Sequence, residues 1–288
     1  ADMSQAFELN VPTDGKSVEI HRRGGGLLLR YVVVPETPPT EAPRPYAHPV
    51  RTLRGECLTL FRPNDHPWHH ALSFTLTSVS GHNFWGGPSY RKEDGYVHRG
   101  DQGNQLHEAW IERSPGRIAH TLVWRAGHQG EILLREERSL GFRLESENAW
   151  SLRWQSSLKN VSGRLLVLGH YRAPEGLVGS HYSGLQFRGA RDLLDDHGDA
   201  TIGIFAEGDR QGEAAIHGVP LTWMEWHGQR DETLRRVSIR FENGNGPLHL
   251  FVRRNYPLAA FPPNFDEVLM LPADGNLSMD HTLTFSDL

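Results

Sequence analysis

Asp65-His66-Pro67-Trp68-His69-His70 places three imidazoles, a carboxylate and an indole within six residues. Imidazole gives or takes a proton near neutral pH and is also the commonest metal ligand. A carboxylate beside it can orient the ring or act as a base. Three readings follow: a proton-transfer or substrate-binding site, a metal site, or hydrogen-bonded structural histidines. A second constellation is Trp223-Met224-Glu225-Trp226-His227. Read as a strand, it sets Trp223, Glu225 and His227 on one face, where flanking rings can desolvate the carboxyl group and suit it to acid–base work. It could equally be an exposed strand with a Trp-His packing pair. A third, His82-Asn83-Phe84-Trp85-Gly86-Gly87-Pro88, offers an aromatic pair ahead of a tight turn. Trp85 beside polar amides is a platform for a sugar, whose C–H face stacks on a ring. Alternatively, both rings cap the end of a sandwich.

The elements that must position these residues read as strands. Leu72, Phe74 and Leu76 alternate with Ser73, Thr75 and Thr77, and the runs 118–124, 132–138, 152–158 and 237–241 do the same. Thirty glycines and 18 prolines punctuate these runs, and no long segment holds an apolar 3.6 period. The expected fold is all-β, an antiparallel β-sandwich. If His70 opens its strand, it shares the core face with Leu72, and His69 takes the polar face with Ser73. The two rings then diverge, and a metal would need ligands from elsewhere, such as His48, His98 or His107. His66, ahead of Pro67, belongs in a turn.

One domain over 1–288 is expected, with an N-terminal hairpin in 1–34. A crossover in 35–49 carries six prolines and is not expected to be a central strand. The net charge of −5 and the lack of a basic stripe argue against nucleic acid. No apolar run approaches the roughly 18 residues of a membrane span, and residues 1–10 lack the pattern of a secretory leader. With a single cysteine, Cys57, no intramolecular disulfide framework exists, and a cytoplasmic location is the default. Cys57 itself sits in an apparent strand, as a small hydrophobe rather than a nucleophile. His-Glu-x-x-His, Gly-x-Ser-x-Gly, Cys-x-x-Cys and phosphate-binding glycine loops are absent, so no cofactor is expected. Oligomeric state is left open.

Three stretches together carry a resemblance: Arg44-Pro45-Tyr46-Ala47-His48-Pro49, the run from Asp65 to Leu72, and His82 to Gly87. They resemble a family of soluble bacterial proteins of unknown function carried under the label "methane oxygenase PmoA". Weaker likeness extends to 179–188, Phe251-Val252-Arg253 and Phe265-Asp266-Glu267. Position 70, here His, is often Lys or Arg in that group. The label sits poorly with the chain, because particulate methane oxygenase is a membrane assembly. The resemblance implies a galactose-mutarotase-like supersandwich, whose large antiparallel sheets form a cleft for carbohydrate. Epimerases, lyases and glycosidase domains share that fold, which does not fix the reaction.

The expected function is therefore carbohydrate-active. The reading places a sugar or oxidised sugar on Trp85 or Trp68 across the concave sheet, with His66 or His69 as acid and Glu225 or Asp65 as base or orienter. Arg44, Tyr46, His48, His98, His107, Tyr182, Arg188 and His227 are further candidates for substrate contact. Epimerisation, mutarotation or elimination would all fit. The alternatives are a non-catalytic carbohydrate-binding module and a metal-dependent oxygenase or hydrolase.

Overall fold

The computed structural model describes residues 5–169 and 182–288. The period-two runs assemble into two large antiparallel sheets. The eight-stranded sheet runs Phe7–Asn10, Ser17–Arg22, Leu27–Val32, Tyr46–Val50, Leu72–Thr75, Gly184–Arg188, Leu258–Phe261 and Phe251–Arg253 from edge to edge. The nine-stranded sheet runs Asn104–Ser114, Arg117–Arg125, Ile132–Ser146, Ala149–Asn160, Asn276–Asp287, Arg236–Asn243, Trp223–Gln229, Gly203–Ala206 and Arg210–Gln211. Helix is reduced to short turns such as Glu213–Ile216. No helix among the described residues is long and apolar enough to cross a membrane.

The inward faces of the two sheets share one apolar cluster. Phe74 meets Trp124 at 6.0 Å between centroids, Tyr31 meets Trp154 at 6.0 Å, and Phe187 meets Phe241 at 5.5 Å. Each pair joins one sheet to the other, mostly edge-to-face, the geometry that ring quadrupoles favour. The all-β sandwich expected from alternation is therefore present.

One polar network crosses this core. Arg138, fully buried, donates to Glu136 at 2.7 and 2.9 Å, to the Tyr31 hydroxyl at 3.1 Å and to Gln105 Oε1 at 3.0 Å. His120 Nε2 lies 2.8 Å from the Tyr31 hydroxyl, and His107 Nδ1 lies 2.8 Å from His120 Nδ1. His107 belongs to this inter-sheet network, with its ring against Trp110.

The proline-rich stretch corrects an expectation. Tyr46–Val50 is an internal strand, between Leu27–Val32 and Leu72–Thr75. Its register against the earlier strand slips between Leu29↔Val50 and Tyr31↔Ala47. His48 and Pro49 fall in the resulting bulge, where the ladder asks for no proline N–H.

Candidate functional site

Two successive turns build the hexapeptide. The His66 N–H donates to Pro63 O at 3.0 Å, and the His69 N–H donates to His66 O at 2.9 Å. Pro67 takes the second position of the latter turn, where its fixed φ is favoured. The Arg62 N–H donates to His69 O at 3.0 Å and closes the loop. The chain thus returns His69 above His66, and the two rings stack at 4.6 Å and 18°. Such near-parallel rings aim their in-plane lone pairs side by side rather than at one shared ion. Among the described residues no group of three or more His, Cys, Asp or Glu is placed to hold a metal ion.

The strand begins at Leu72, not at His70, because Ala71 sits at φ 50° and breaks the alternation. His70 and His69 still face different partners. His70 Nε2 lies 2.8 Å from Glu41 Oε1, and Arg62 grips the same carboxylate with two bonds of 2.8 Å. Burial holds His70 down at about 4. His70 is therefore neutral and donates to Glu41, a structural tie for the loop. Serine and threonine of the following strand do not face solvent either. Ser73 and Thr75 are fully buried.

Trp68 is set by a close approach that only glycine permits. A Cβ on Gly87, at φ +72°, would stand 2.5 Å from Trp68 Cδ2, and one on Gly86, at φ +100°, would stand 2.5 Å from Glu41 O. Asn83 locks this glycine turn. Its Oδ1 accepts from the N–H groups of Trp85 and Gly86 at 3.0 and 2.9 Å, and its Nδ2 donates to Gly87 O at 3.0 Å. Phe84 then points into the core against Trp124, and Trp85 points the other way.

These loops lie on the outer face of the eight-stranded sheet. Along Gly184–Arg188, Leu185 and Phe187 enter the inter-sheet core. Gln186 and Arg188, of opposite parity, are also fully buried, beneath the loops. Above them is a cavity of about 340 Å³. His66, Trp68, His69, Trp85, Tyr96, Tyr182, Phe251, Arg253 and Tyr256 line it. Its aromatic groups support one another: Trp85 to Tyr182 at 4.8 Å, Tyr182 to Phe251 at 5.8 Å and His66 to Tyr256 at 5.1 Å.

Charge is arranged behind these rings. Arg188 Nη1 donates to His69 Nδ1 at 3.1 Å. Burial above all, then the neighbouring His66 and Arg188, hold His69 well below the usual histidine range. A neutral His69 whose Nδ1 accepts must carry its proton on Nε2. His66 is also held low, first by burial, with Asp65 pulling the other way. Its Nδ1 lies 3.4 Å from Asp65 Oδ2, within ion-pair distance but outside hydrogen-bond geometry; the carboxylate's charge favours the proton on Nδ1, which leaves the Nε2 lone pair as the base. Burial works to raise the Asp65 carboxyl, yet the bond from Arg191 and the charge of Arg188 keep it below its ordinary value. Arg44, fully buried, bonds Trp68 O at 2.8 Å, Ser73 Oγ at 3.0 Å and the carbonyls of Glu41 and Ala42 at 3.0 Å. It ties the loop to the sheet.

Of the residues singled out from sequence, His66, Trp68, His69, Trp85 and Tyr182 share the cavity. Asp65, Arg44 and Arg188 stand behind it. Glu225 does not join them. Met224 and Trp226 face the core, so Glu225 and His227 face outward from the nine-stranded sheet, on the opposite side of the sandwich. There Glu225 bonds Arg240 at 2.8 Å and His227 at 3.0 Å. Tyr46 and His48 stack on Phe61, at 4.4 and 5.7 Å, on the far side of His70. His98 is exposed, just past the hairpin strand Gly95–Val97, and is not in the cavity lining. His107 is in the inter-sheet network. Sequence reasoning missed Tyr96, Phe251, Arg253 and Tyr256. The stretch Phe251-Val252-Arg253, part of the weaker likeness, was the one visible signal for two of them.

Among solved structures, the chain is similar to the alpha-galactosidase from Lactobacillus brevis, with a TM-score of 0.40 and 11% identity. That match covers 100% of this chain and 40% of the alpha-galactosidase chain, so this chain spans less than half of it. No curated protein matches. The sequence profile of a family of unknown function, DUF6807, matches residues 18–287, and the chain belongs to that family.

Proposed function

We propose that this protein is a carbohydrate-active enzyme that holds a sugar in the aromatic cavity and moves a proton through His66. The observation that carries the reading is the cavity itself. Trp68, Trp85, Tyr182 and Tyr256 surround a stacked His66–His69 pair backed by Asp65 and Arg188. The rings accept the C–H face of a pyranose, and the imidazoles supply the fixed polar groups that orient its hydroxyls. His66 Nε2 is the base, and the charge of Asp65 favours its tautomer. His69 Nε2–H, backed by Arg188, donates to an oxygen that gains charge. Positioned acid–base groups of this kind contribute roughly 10²- to 10⁴-fold each. Epimerisation, mutarotation and elimination all use such a pair. The resemblance to the group labelled methane oxygenase PmoA remains a grouping by sequence. The cytoplasm remains the expected compartment.

The test replaces His66 and His69 singly with Asn and assays a panel of sugars for binding and turnover. Loss of turnover in His66→Asn with binding retained supports the role. Undiminished turnover in both variants removes it. Binding by the unsubstituted protein without turnover of any sugar makes it a binding module instead.

A further inference from the structure

The cavity has a charge imbalance that a neutral sugar would leave unanswered. Among the described residues no carboxylate lines it. Arg253 does, with its guanidinium 4.3 Å from the Phe251 ring centroid. The hydrogen bonds of Arg253 are to Val252 O at 3.0 Å and to His217 Nδ1 at 3.2 Å, both neutral acceptors. Among the described residues no carboxylate lies within ion-pair distance of it. Behind His69, the fully buried Arg188 leaves Nε and Nη2 without hydrogen-bond partners. Asp65 Oδ1 stands 3.9 Å from it and is engaged at 3.0 Å by Arg191. Behind Trp68, Arg44 spends its donors on neutral oxygens. Glu41, the other nearby carboxylate, is gripped by Arg62.

A buried cation whose nearest carboxylate is engaged by another cation is incompletely compensated, and its field is weakly screened. Arg44 and Arg188 both show this, since burial lowers each below the ordinary guanidinium range. Their field and that of Arg253 meet in the cavity. The Arg188 bond also fixes the His69 proton on Nε2, which gives the cavity a neutral donor polarised by a cation. An anion entering here gains a guanidinium on one side and this donor on the other. The aromatic walls leave room for an apolar ring face beside it.

We propose that the ligand is an acidic sugar, a pyranose bearing a ring carboxylate, with the carboxylate held by Arg253 and the Nε2–H of His69. This rests on the carbohydrate reading and narrows it. The guanidinium matches a carboxylate geometrically as well as in charge.

The test is calorimetric titration of the whole protein with glucuronate and galacturonate, with glucose and galactose as neutral parents, and with acetate as a carboxylate without a sugar. The Arg253→Met and Arg253→Lys variants are titrated beside it. Uronates are expected to bind about tenfold or more tighter than their parents, the scale of a charge-assisted bond. Arg253→Met is expected to erase that preference, bringing the uronates down to the affinity of their neutral parents in the same variant, and Arg253→Lys to retain part of it. Neutral sugars binding as well as uronates overturns the acidic class and leaves the carbohydrate reading standing. Acetate binding as tightly as uronates overturns the carbohydrate reading. No binding by any of the five overturns both.

Discussion

Gly87→Ala tests whether the cavity wall depends on a contact one methyl group can break. Two costs are separable. At φ +72° an alanine carries left-handed strain of about 1–2 kcal/mol. Its Cβ would also stand 2.5 Å from Trp68 Cδ2 and 2.7 Å from Cε2. Ordinary carbon contacts lie near 3.5–4.0 Å, so the indole must retreat by roughly 1 Å. Overpacking of this kind costs about 1–3 kcal/mol more. Gly24 provides the control. It has φ +69°, and an added Cβ there meets nothing within 4 Å. Gly24→Ala carries the strain alone. Urea denaturation should show Gly87→Ala losing about 1–3 kcal/mol more than Gly24→Ala. Titration with the best-binding sugar should show weakened affinity in Gly87→Ala and unchanged affinity in Gly24→Ala. Equal stability losses and wild-type affinity in both variants would refute the reasoning that Trp68 is a positioned wall of the site.

Three further outcomes follow from the charge arrangement. Asp65 raises the His66 pKa against burial, so Asp65→Asn should shift the NMR titration of the His66 ring to lower pH; an unshifted curve would remove Asp65 as its orienter. Glu136→Gln leaves the fully buried Arg138 without its counter-charge and should cost about 3–5 kcal/mol in denaturant. Burial holds His48, His70 and His281 at about 4 and His120 at about 2. The unfolded chain binds these protons near pH 6.5 and the folded one does not, so stability is complete above that pH and falls below it. Each such histidine adds a slope of about 1.4 kcal/mol per pH unit, and His281→Gln should flatten the decline between pH 6.5 and 5. A denaturation midpoint constant over that range would contradict this.

The sandwich was legible because alternation along single strands reports a face directly. Residues 223–227 show it: Met224 and Trp226 are buried, and their neighbours are half-buried, as parity requires. The same parity could not say which side of the sandwich that face belongs to. Glu225 was therefore paired with His66, although two sheets separate them. The local chemistry of the hexapeptide was visible, but its geometry was not. Two turns, a left-handed Ala71 and the Arg188 bond from 119 residues away decide where the rings point. Tyr256, Phe251 and Arg253 join the site through the sheet order, which brings the strands ending at Arg253 and Arg188 to either side of Leu258–Phe261. No local pattern encodes that adjacency. Pro49 misled for a related reason, since a bulge removes the hydrogen bond that proline would have broken.

A crystal structure of the protein soaked with the tightest-binding sugar would show where the sugar lies. The sugar ring is expected against Trp68 or Trp85, with His66 Nε2 about 3 Å from a ring oxygen or beside a ring C–H. A sugar bound instead on the outer face of the nine-stranded sheet, around Trp223 and Glu225, with the His66 cavity unfilled, would contradict it.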